Sequence, residues 1–305
     1  MRITMTLLHA TTENALTGFL TDVLLEGLID TLKLIPFLFI TYLLMEFIEH
    51  KASAGTVGFI KKAGPLGPLP ASLVGAIPQC GFSAAAANLY TGKVITLGTL
   101  VAVLLSTSDE MLPILIAGEL PAGDILIILA YKVIVAIAVG FALDGILRLF
   151  GKKDEDINID EICEADDCHC ERGILHSAIH HTITTGLFLL IVTILINAVI
   201  FAMGEDALSG IMYGRPVISH AIAAVFGLIP NCAASVTLAT LASEGIITVG
   251  TMLAGLFSGS GVGILVLFRV NKNLRQNLLV VLILVLSGFA FGLLADFLPF
   301  LKFII

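Results

Sequence analysis

The chain has 305 residues, of which 57% are hydrophobic and 13% are charged, and its mean hydropathy is +1.03. A soluble domain carries about 25% charged residues, so this composition excludes an ordinary water-soluble fold and predicts an all-α, polytopic membrane protein. The formal net charge of −8 comes mainly from residues 154–171. The sequence has no basic patch with interleaved aromatics and no Walker motif, which argues against a nucleic-acid partner and against ATP-driven transport.

Six runs that are almost free of charge are predicted to span the bilayer. In chain order they cover 35–45 (with apolar sequence from 17 onward), 94–117, 125–147, 186–203, 246–268 and 277–300. The chain opens without the basic region, apolar stretch and small-residue cleavage site of a signal peptide. We therefore expect the first span to direct membrane insertion itself.

An internal repeat relates the two halves of the chain. Residues 75–80, Gly-Ala-Ile-Pro-Gln-Cys, return as residues 227–232, Gly-Leu-Ile-Pro-Asn-Cys, at an offset of 152 (230 − 78). In an ungapped alignment of 75–116 with 227–268, about 16 of the 42 pairs are identical. Two halves that each contain a proline-broken polar motif are typical of secondary transporters.

The distribution of basic residues predicts the topology. If every hydrophobic segment crossed the membrane, lysines and arginines would be divided equally between the two faces, against the usual cytoplasmic excess. We therefore expect segments 70–91 and 217–242 to be re-entrant hairpins, with Pro-kinked full-length helices as the alternative. Each half then crosses three times, so the second half is inverted and the hairpin tips meet near the midplane.

This topology divides the chain into three parts. We expect a first membrane repeat at 1–150, an acidic cytoplasmic loop rich in cysteine and histidine at 151–172, and a second membrane repeat at 173–305.

The proline motifs carry candidate substrate ligands. Proline donates no backbone hydrogen bond, so each motif frees backbone groups that can bind ions or polar solutes. Amide oxygens suit hard ions such as Mn, whereas thiolates suit Zn, Cu(I) or trivalent arsenic. Free cysteines are also common as small buried apolar residues, but their repetition beside a proline favours a site. The residues concerned are Pro78 and Pro230, Gln79 and Asn231, and Cys80 and Cys232.

Two adjacent acids lie in the middle of the run 94–117. Each carboxyl costs roughly 3 kcal/mol at a helix centre on insertion scales, so acids there indicate function by default. We predict Asp109 as the first candidate for a cation or proton site and Glu110 as the second. Alternatively, the helix ends earlier than this run and the acids are merely hydrated. Lys132 is expected to pair with one of them or to extend to the interface.

Hydroxyl groups surround these acids and recur in the second half without them. The residues that we expect to line the substrate site are Ser106 and Ser108 in the first half and Ser258 and Ser260 in the second. The position of Asp109 is taken by Gly261, so we predict one charged site and not two equal ones.

The central loop is rich in metal ligands. The spacing C-x4-C-x-C is not that of a zinc finger, so no defined structural site is implied, although such a loop would capture transition metals. A solvated acidic linker is the alternative, and reduced thiols are expected in the cytoplasm. The candidate metal ligands are Cys163, Cys168, His169, Cys170, His176 and His180.

The doubled Ile-Pro-Gln/Asn-Cys motif, the Ser-Thr-Ser-Asp-Glu stretch and the central loop resemble the ten-segment heavy-metal exporters. Members of this family are labelled manganese transporters or arsenic efflux permeases and are similar in type to the organoarsenical permeases. The resemblance runs from about residue 28 to the C-terminus. It implies a bacterial-type, multi-pass inner-membrane exporter with Pro78, Cys80, Pro230 and Cys232 at the motif positions.

The predicted architecture is also similar to that of the ion-transporter superfamily, in which a hairpin-bearing domain slides against a dimeric scaffold. A homodimer is therefore among the expected partners. The Ser-Asn-Thr hairpin signature of that superfamily is not found here, so the similarity concerns the fold alone.

We predict a secondary active transporter that exports a divalent, Mn-like transition metal or a thiophilic metalloid by proton exchange with alternating access. The expected partners are that substrate, protons and the lipid bilayer, with no cofactor and no enzymatic activity. A permease for an organic anion or organoarsenical is the main alternative. An intramembrane enzyme built on the acids or on His180 and His181, and a channel, in which ions must bind weakly, are less well supported by these residues.

Overall fold

A computed structural model describes residues 24–51, 66–77, 81–107, 111–117, 120–149, 174–203, 216–230, 232–243 and 245–302. These ranges contain thirteen α-helices and no strand, so the predicted all-α class is confirmed for the described chain. The helices are α1 (Glu26–Lys51), α2 (Pro68–Gly75), α3 (Gly81–Thr91), α4 (Leu97–Ser106), α5 (Met111–Ala117), α6 (Ala122–Leu149), α7 (Ile174–Met203), α8 (Pro216–Phe226), α9 (Cys232–Ser243), α10 (Val249–Ser258), α11 (Val262–Val270), α12 (Leu274–Phe297) and α13 (Pro299–Lys302).

Four described segments are long and apolar enough to cross a membrane. They are α6, residues Leu175–Leu195 of α7, the segment Val249–Val270 and α12. Only 28% of the α12 segment is buried within the protein, against 78% of Val249–Val270. Because large apolar side chains cover the exposed faces of α6, α7 and α12, these helices suit a lipid-facing position, whereas α10 and α11 form the interior.

The helices repeat in the same order in the two halves. Adding 152 to the bounds of α4 gives those of α10, and the same shift places α1, α2, α3, α5 and α6 on α7, α8, α9, α11 and α12. Equivalent threonines begin α4 and α10: Thr96 Oγ1 accepts from Thr99 N, and Thr248 Oγ1 accepts from Thr251 N, both at 3.1 Å. Such caps satisfy a backbone donor that has no partner inside the helix.

Some helices pack within their own half and others across it. In the first half α2 packs on α4 and α6, and in the second half α8 packs likewise on α10 and α12. By contrast, α3 packs on α11, and α9 packs on α5. Each half therefore completes the core of the other.

The equivalent helices α1 and α7 pack against each other in opposite directions. A Cβ atom built on Gly27 would lie 3.2 Å from Ile194, and one built on Gly186 would lie 3.9 Å from Ile35. Farther along α1, the Tyr42 hydroxyl lies 2.7 Å from Thr185 Oγ1. The contacting residue number rises on α1 while it falls on α7, which defines an antiparallel pair.

Helix α2 runs in the same direction as α4. Its first residue, Pro68, lies with Gly98 beside Gly140, because a Cβ built on Gly140 would be 2.8 Å from both. Its last residue, Gly75, contacts Val103 and Ser106 at the far end of α4. Since only residues 92–96 separate the end of α3 from the start of α4, α3 must return toward the level at which α2 began.

The runs predicted to span the membrane at 94–117 and 246–268 each contain a helix break. Helix α4 ends at Ser106, before the acids, as the alternative interpretation had it, and α10 ends at Ser258. In the second half the chain passes Gly259 and then Gly261, whose φ of +51° and ψ of −133° suit only glycine. Side-chain hydroxyls that bond to the helix backbone, together with glycine, favour such an end.

Candidate substrate-binding site

The two broken spans end in equivalent serines. Ser106 and Ser258 are fully buried, and their hydroxyls donate to carbonyl oxygens in their own last turns, to Val103 O and Gly255 O, both at 3.0 Å. The same carbonyls also accept from the backbone N–H groups of Thr107 and Gly259, so each is shared between two donors. Because each hydroxyl proton is used in this way, the oxygen lone pairs remain as acceptors or as ligands for a cation.

Lys132 connects the two helix ends. This side chain of α6 is fully buried, and its ammonium donates to Thr107 O, at the end of α4, and to Leu256 O, in the last turn of α10, at 3.0 Å. It also lies 5.6 Å from the centre of the Phe257 ring, within the range of a cation–π contact. The negative ends of two helix dipoles thus point at one buried cation.

The proline motifs approach the same place. A Cβ built on Gly75 would collide with Ser106 Oγ, and one built on Gly227 would lie 2.8 Å from Ser258 Oγ. Only glycine allows these contacts. The two chain segments that lead into Pro78 and Pro230 therefore lie directly against the two serines at the helix breaks.

The break in the second half contains a polar group with no partner among the described residues. Ser260 is 1% exposed, and its hydroxyl makes no hydrogen bond within the described chain. A buried hydroxyl in this situation costs about 1–3 kcal/mol, which is unusual in a native interior and suits a position that a ligand occupies.

Several predicted site residues lie outside the described residues. They are Pro78, Gln79, Cys80, Ser108, Asp109, Glu110, Asn231, Cys163, Cys168, His169 and Cys170. Cys232 begins α9, but its side chain is also outside the described set. Of the predicted substrate ligands, the structure describes Ser106, Ser258 and Ser260, and it brings them to the two helix breaks. Their roles, and those of the other residues, stay predictions.

The histidines at the start of α7 do not form a described metal centre. His176 and His180 are exposed, whereas the neighbouring His181 is buried and stacks on Tyr42 with ring centres 5.1 Å apart. Within the ranges that the structure covers, no three His, Cys, Asp or Glu residues lie close enough together to hold a metal ion.

A carboxylate fixes the start of each broken span. In the first half Asp144, on α6, accepts from Thr96 Oγ1 at 2.6 Å and from Gly98 N at 2.9 Å. In the second half Asp296, on α12, accepts from Thr248 Oγ1 at 2.8 Å and from Gly250 N at 2.9 Å. We call each of these sets a carboxylate clamp. The sequence contains a sign of this equivalence, because Asp144 and Asp296 are also 152 residues apart (296 − 144). It was missed because both acids lie outside the aligned residues 75–116 and 227–268.

The comparison with protein families concerns most of this architecture. Residues 20–213 match the family described as "Putative, 10TM heavy-metal exporter". The chain belongs to this family. The match covers more than half of the chain, from before α1 to after α7, and includes the first proline motif and the acids at 109 and 110. The predicted family is therefore confirmed, and with it a multi-pass membrane protein of a transporter class.

No curated protein and no solved structure matches the chain at the threshold applied.

Proposed function

We propose that this protein is a secondary active transporter that exports a divalent transition metal or a thiophilic metalloid from the cytoplasm in exchange for protons. The observation that carries the proposal is the convergence on Lys132 of two helix ends whose equivalent serines touch the two proline motifs. Broken helices that meet inside a bundle are how transporters expose backbone groups to a substrate.

The inverted repeat is supported by helix directions. Equivalent helices α1 and α7 run antiparallel, as they would if the two halves had opposite orientations in the membrane. The re-entrant hairpins are supported by α2, which runs with α4 to the level of Ser106, and by the short connection that returns α3 to the start of α4. Such an arrangement provides two related gates around one site.

The charges of the site suggest how exchange works. Asp109 and Glu110 follow Thr107, whose carbonyl binds the ammonium of Lys132. Two carboxylates and one lysine leave a net negative charge, so a metal cation is attracted until protons replace it. Removing an ion from water costs several kcal/mol in real proteins, and only paired charges offset that cost. Because the Lys132 ammonium already neutralises part of the charge of Asp109 and Glu110, it lowers their affinity for a metal ion.

Replacing Asp109 by asparagine tests the proposal. In proteoliposomes that contain a pH-sensitive dye, we expect the native protein to move Mn, Zn, Cd or trivalent arsenic saturably, with protons moving in the opposite direction. Asp109→Asn removes the negative charge and should reduce this flux at least about tenfold. A tenfold reduction corresponds to an increase of roughly 1.4 kcal/mol in the activation free energy of transport. The matched control is Asp124→Asn, which removes an acid from the first turn of α6, eight residues (132 − 124) or about 12 Å along the helix from Lys132.

Unchanged flux in Asp109→Asn would remove this acid from the mechanism. If folded native protein moved none of the four substrates, the proposal of metal or metalloid export would be overturned, and transport of an organic solute would remain.

That second candidate is a permease for an organic anion or an organoarsenical, and one observation favours it. A buried ammonium between two helix breaks would attract the oxygen atoms of such a solute. Saturable uptake of an arsenical anion that Lys132→Met abolishes, in protein that moves no metal, would select it.

A further inference from the structure

Helix α8 carries a buried histidine that the proposed substrate site does not use. The His220 side chain is fully buried, and its Nε2 atom lies 3.2 Å from Oδ2 of Asp296. The same carboxylate forms the clamp of the second half, where it also accepts from Thr248 and Gly250. Histidine is the side chain whose ordinary charge change falls between about pH 5 and pH 8, so an imidazole placed against a carboxylate is suited to bind and release a proton.

The first half provides a natural control for this histidine. Its clamp has the same three members, Thr96, Gly98 and Asp144, with nearly the same distances. The residue equivalent to His220 (220 − 152) is Pro68, which has no ionisable group. The clamp of the first half therefore forms without a histidine, so a histidine is not needed to hold α10 to α12. His220 instead adds an ionisable group to the clamp of the second half.

Asp296 is the acid that His220 meets. Helix α8 packs on α10 and α12, and it contains no other titratable residue. Helix α10 has none, and α12 has only Arg275 besides Asp296. Arg275 precedes Asp296 by 21 residues (296 − 275), which is about 30 Å along a helix. Asp296 is 22% exposed, so the pair is not completely enclosed by the protein.

We propose that His220 and Asp296 form a proton-binding site that controls the position of α8. Protonation of the imidazole turns a contact between a neutral ring and a carboxylate into an ion pair, which holds α8 more firmly against α12. Loss of the proton weakens this attachment. The effect of the charge is large because the imidazole is shielded from water.

The consequence reaches the substrate site through α8 itself. Six residues after His220 the helix ends at Phe226, and Gly227, against Ser258, leads into Pro230. A proton that fixes α8 therefore fixes one of the two proline motifs, while α2, with Pro68, has no such control. By linkage, a substrate that moves this motif changes the affinity of His220 for protons by the same factor. This last step rests on the proposed function, because it names where a coupling proton binds.

Hydrogen exchange of the full-length protein in nanodiscs tests the proton site without any substrate. After correction for the intrinsic pH dependence of exchange, we expect the α8 amides to exchange at least about fivefold more slowly at about pH 5 than at about pH 8. A factor of about five is the lower end of typical coupling between two sites. The amides of α2 in the same sample are the internal control and should show no such change. In His220→Gln and in Asp296→Asn, the pH effect on α8 should disappear.

Two results would overturn the inference. One is a native α8 whose protection depends on pH no more than that of α2. The other is a pH effect that persists in folded His220→Gln or Asp296→Asn. Because neither readout needs transport, a failure of the proposed function would be seen separately, as absence of flux in native protein whose α8 still responds to pH.

Discussion

Lys132 is the residue whose environment differs most from what its chemistry prefers. A lysine normally keeps its ammonium in water, yet this one is fully buried and donates to two backbone carbonyls from different halves. A charge retained at such a cost is expected to serve function, since an apolar side chain of similar length would pack there at lower cost. The sequence alone predicts that Lys132 pairs with an acid or extends to the interface, and it does not predict the contact with Leu256 O.

Replacing Lys132 by methionine separates function from stability at this position. Methionine has a similar length and no charge, so we expect the variant to elute as a monodisperse peak in detergent while its substrate flux falls at least about tenfold. The matched control, Lys272→Met, removes a lysine from the exposed turn between α11 and α12 and should leave flux unchanged. A fully active Lys132→Met would show that the ammonium has only a packing role.

At the scale of helices, the carboxylate clamps explain why the broken spans have defined starting points. Each clamp ties the first turn of an interior helix to the far end of the next long helix through one carboxylate. Asp144 is only 5% exposed and satisfies two donors at once. The interior helices are thus anchored at one end and broken at the other.

Asp144→Asn should therefore destabilise the protein. Asparagine has one acceptor oxygen, so one of the two bonds to Thr96 and Gly98 is lost, and an unpaired buried Gly98 N–H would cost about 1–3 kcal/mol. We expect a lower apparent melting temperature in detergent, measured by loss of the monodisperse fraction after heating. Asp124→Asn, on the same helix, is the control and should lower the melting temperature less, since a first-turn carboxylate contributes only about 0.3–1 kcal/mol through the helix dipole. Equal melting temperatures for the three proteins would contradict a stabilising role for the clamp.

The sequence predicted the helices better than the contacts between them. Hydropathy and the offset of 152 predicted the long helices and the equivalence of the halves, because both depend on local composition. The early end at Ser106 was foreseen only as an alternative and the one at Ser258 not at all, since apolar residues on both sides make each run long enough to cross the membrane. His220 was missed because its partner Asp296 is 76 residues away (296 − 220), and a single histidine in an apolar helix gives no sign of a distant carboxylate.

At the scale of the whole molecule, the two halves are joined by exchange of helices. The pairs α3 with α11 and α5 with α9 cross between the halves, and α1 lies along α7. Tyr131, next to Lys132, adds a hydrogen bond from the first half to Phe291 O in the second, at 2.7 Å. These helix pairs hold the two halves together along their length, so we expect relative movement of the halves to be concentrated at the helix breaks.

Disulfide formation between α1 and α7 tests this arrangement. In a variant without the five native cysteines, with a protease site inserted in the 151–172 loop, we expect Gly27→Cys to crosslink with Ile194→Cys. The two halves should then stay together on a non-reducing gel after cleavage. The control pairs Gly27→Cys with Ile179→Cys, the equivalent position (27 + 152), which lies about 22 Å along α7 from Ile194. Crosslinking of the control alone would mean that the helices run in parallel.

The crossed packing of α3, α5, α9 and α11 has a consequence for biosynthesis. When the ribosome has completed the first half, α3 and α5 can pack on first-half helices, but α11 and α9, which cover them from the second half, have not yet been made. Part of the surface of each short helix therefore stays uncovered until these partners arrive. The first half is therefore unfinished in its interior until α9 and α11 arrive, whereas the lipid-facing helix α6 suits early release into the bilayer.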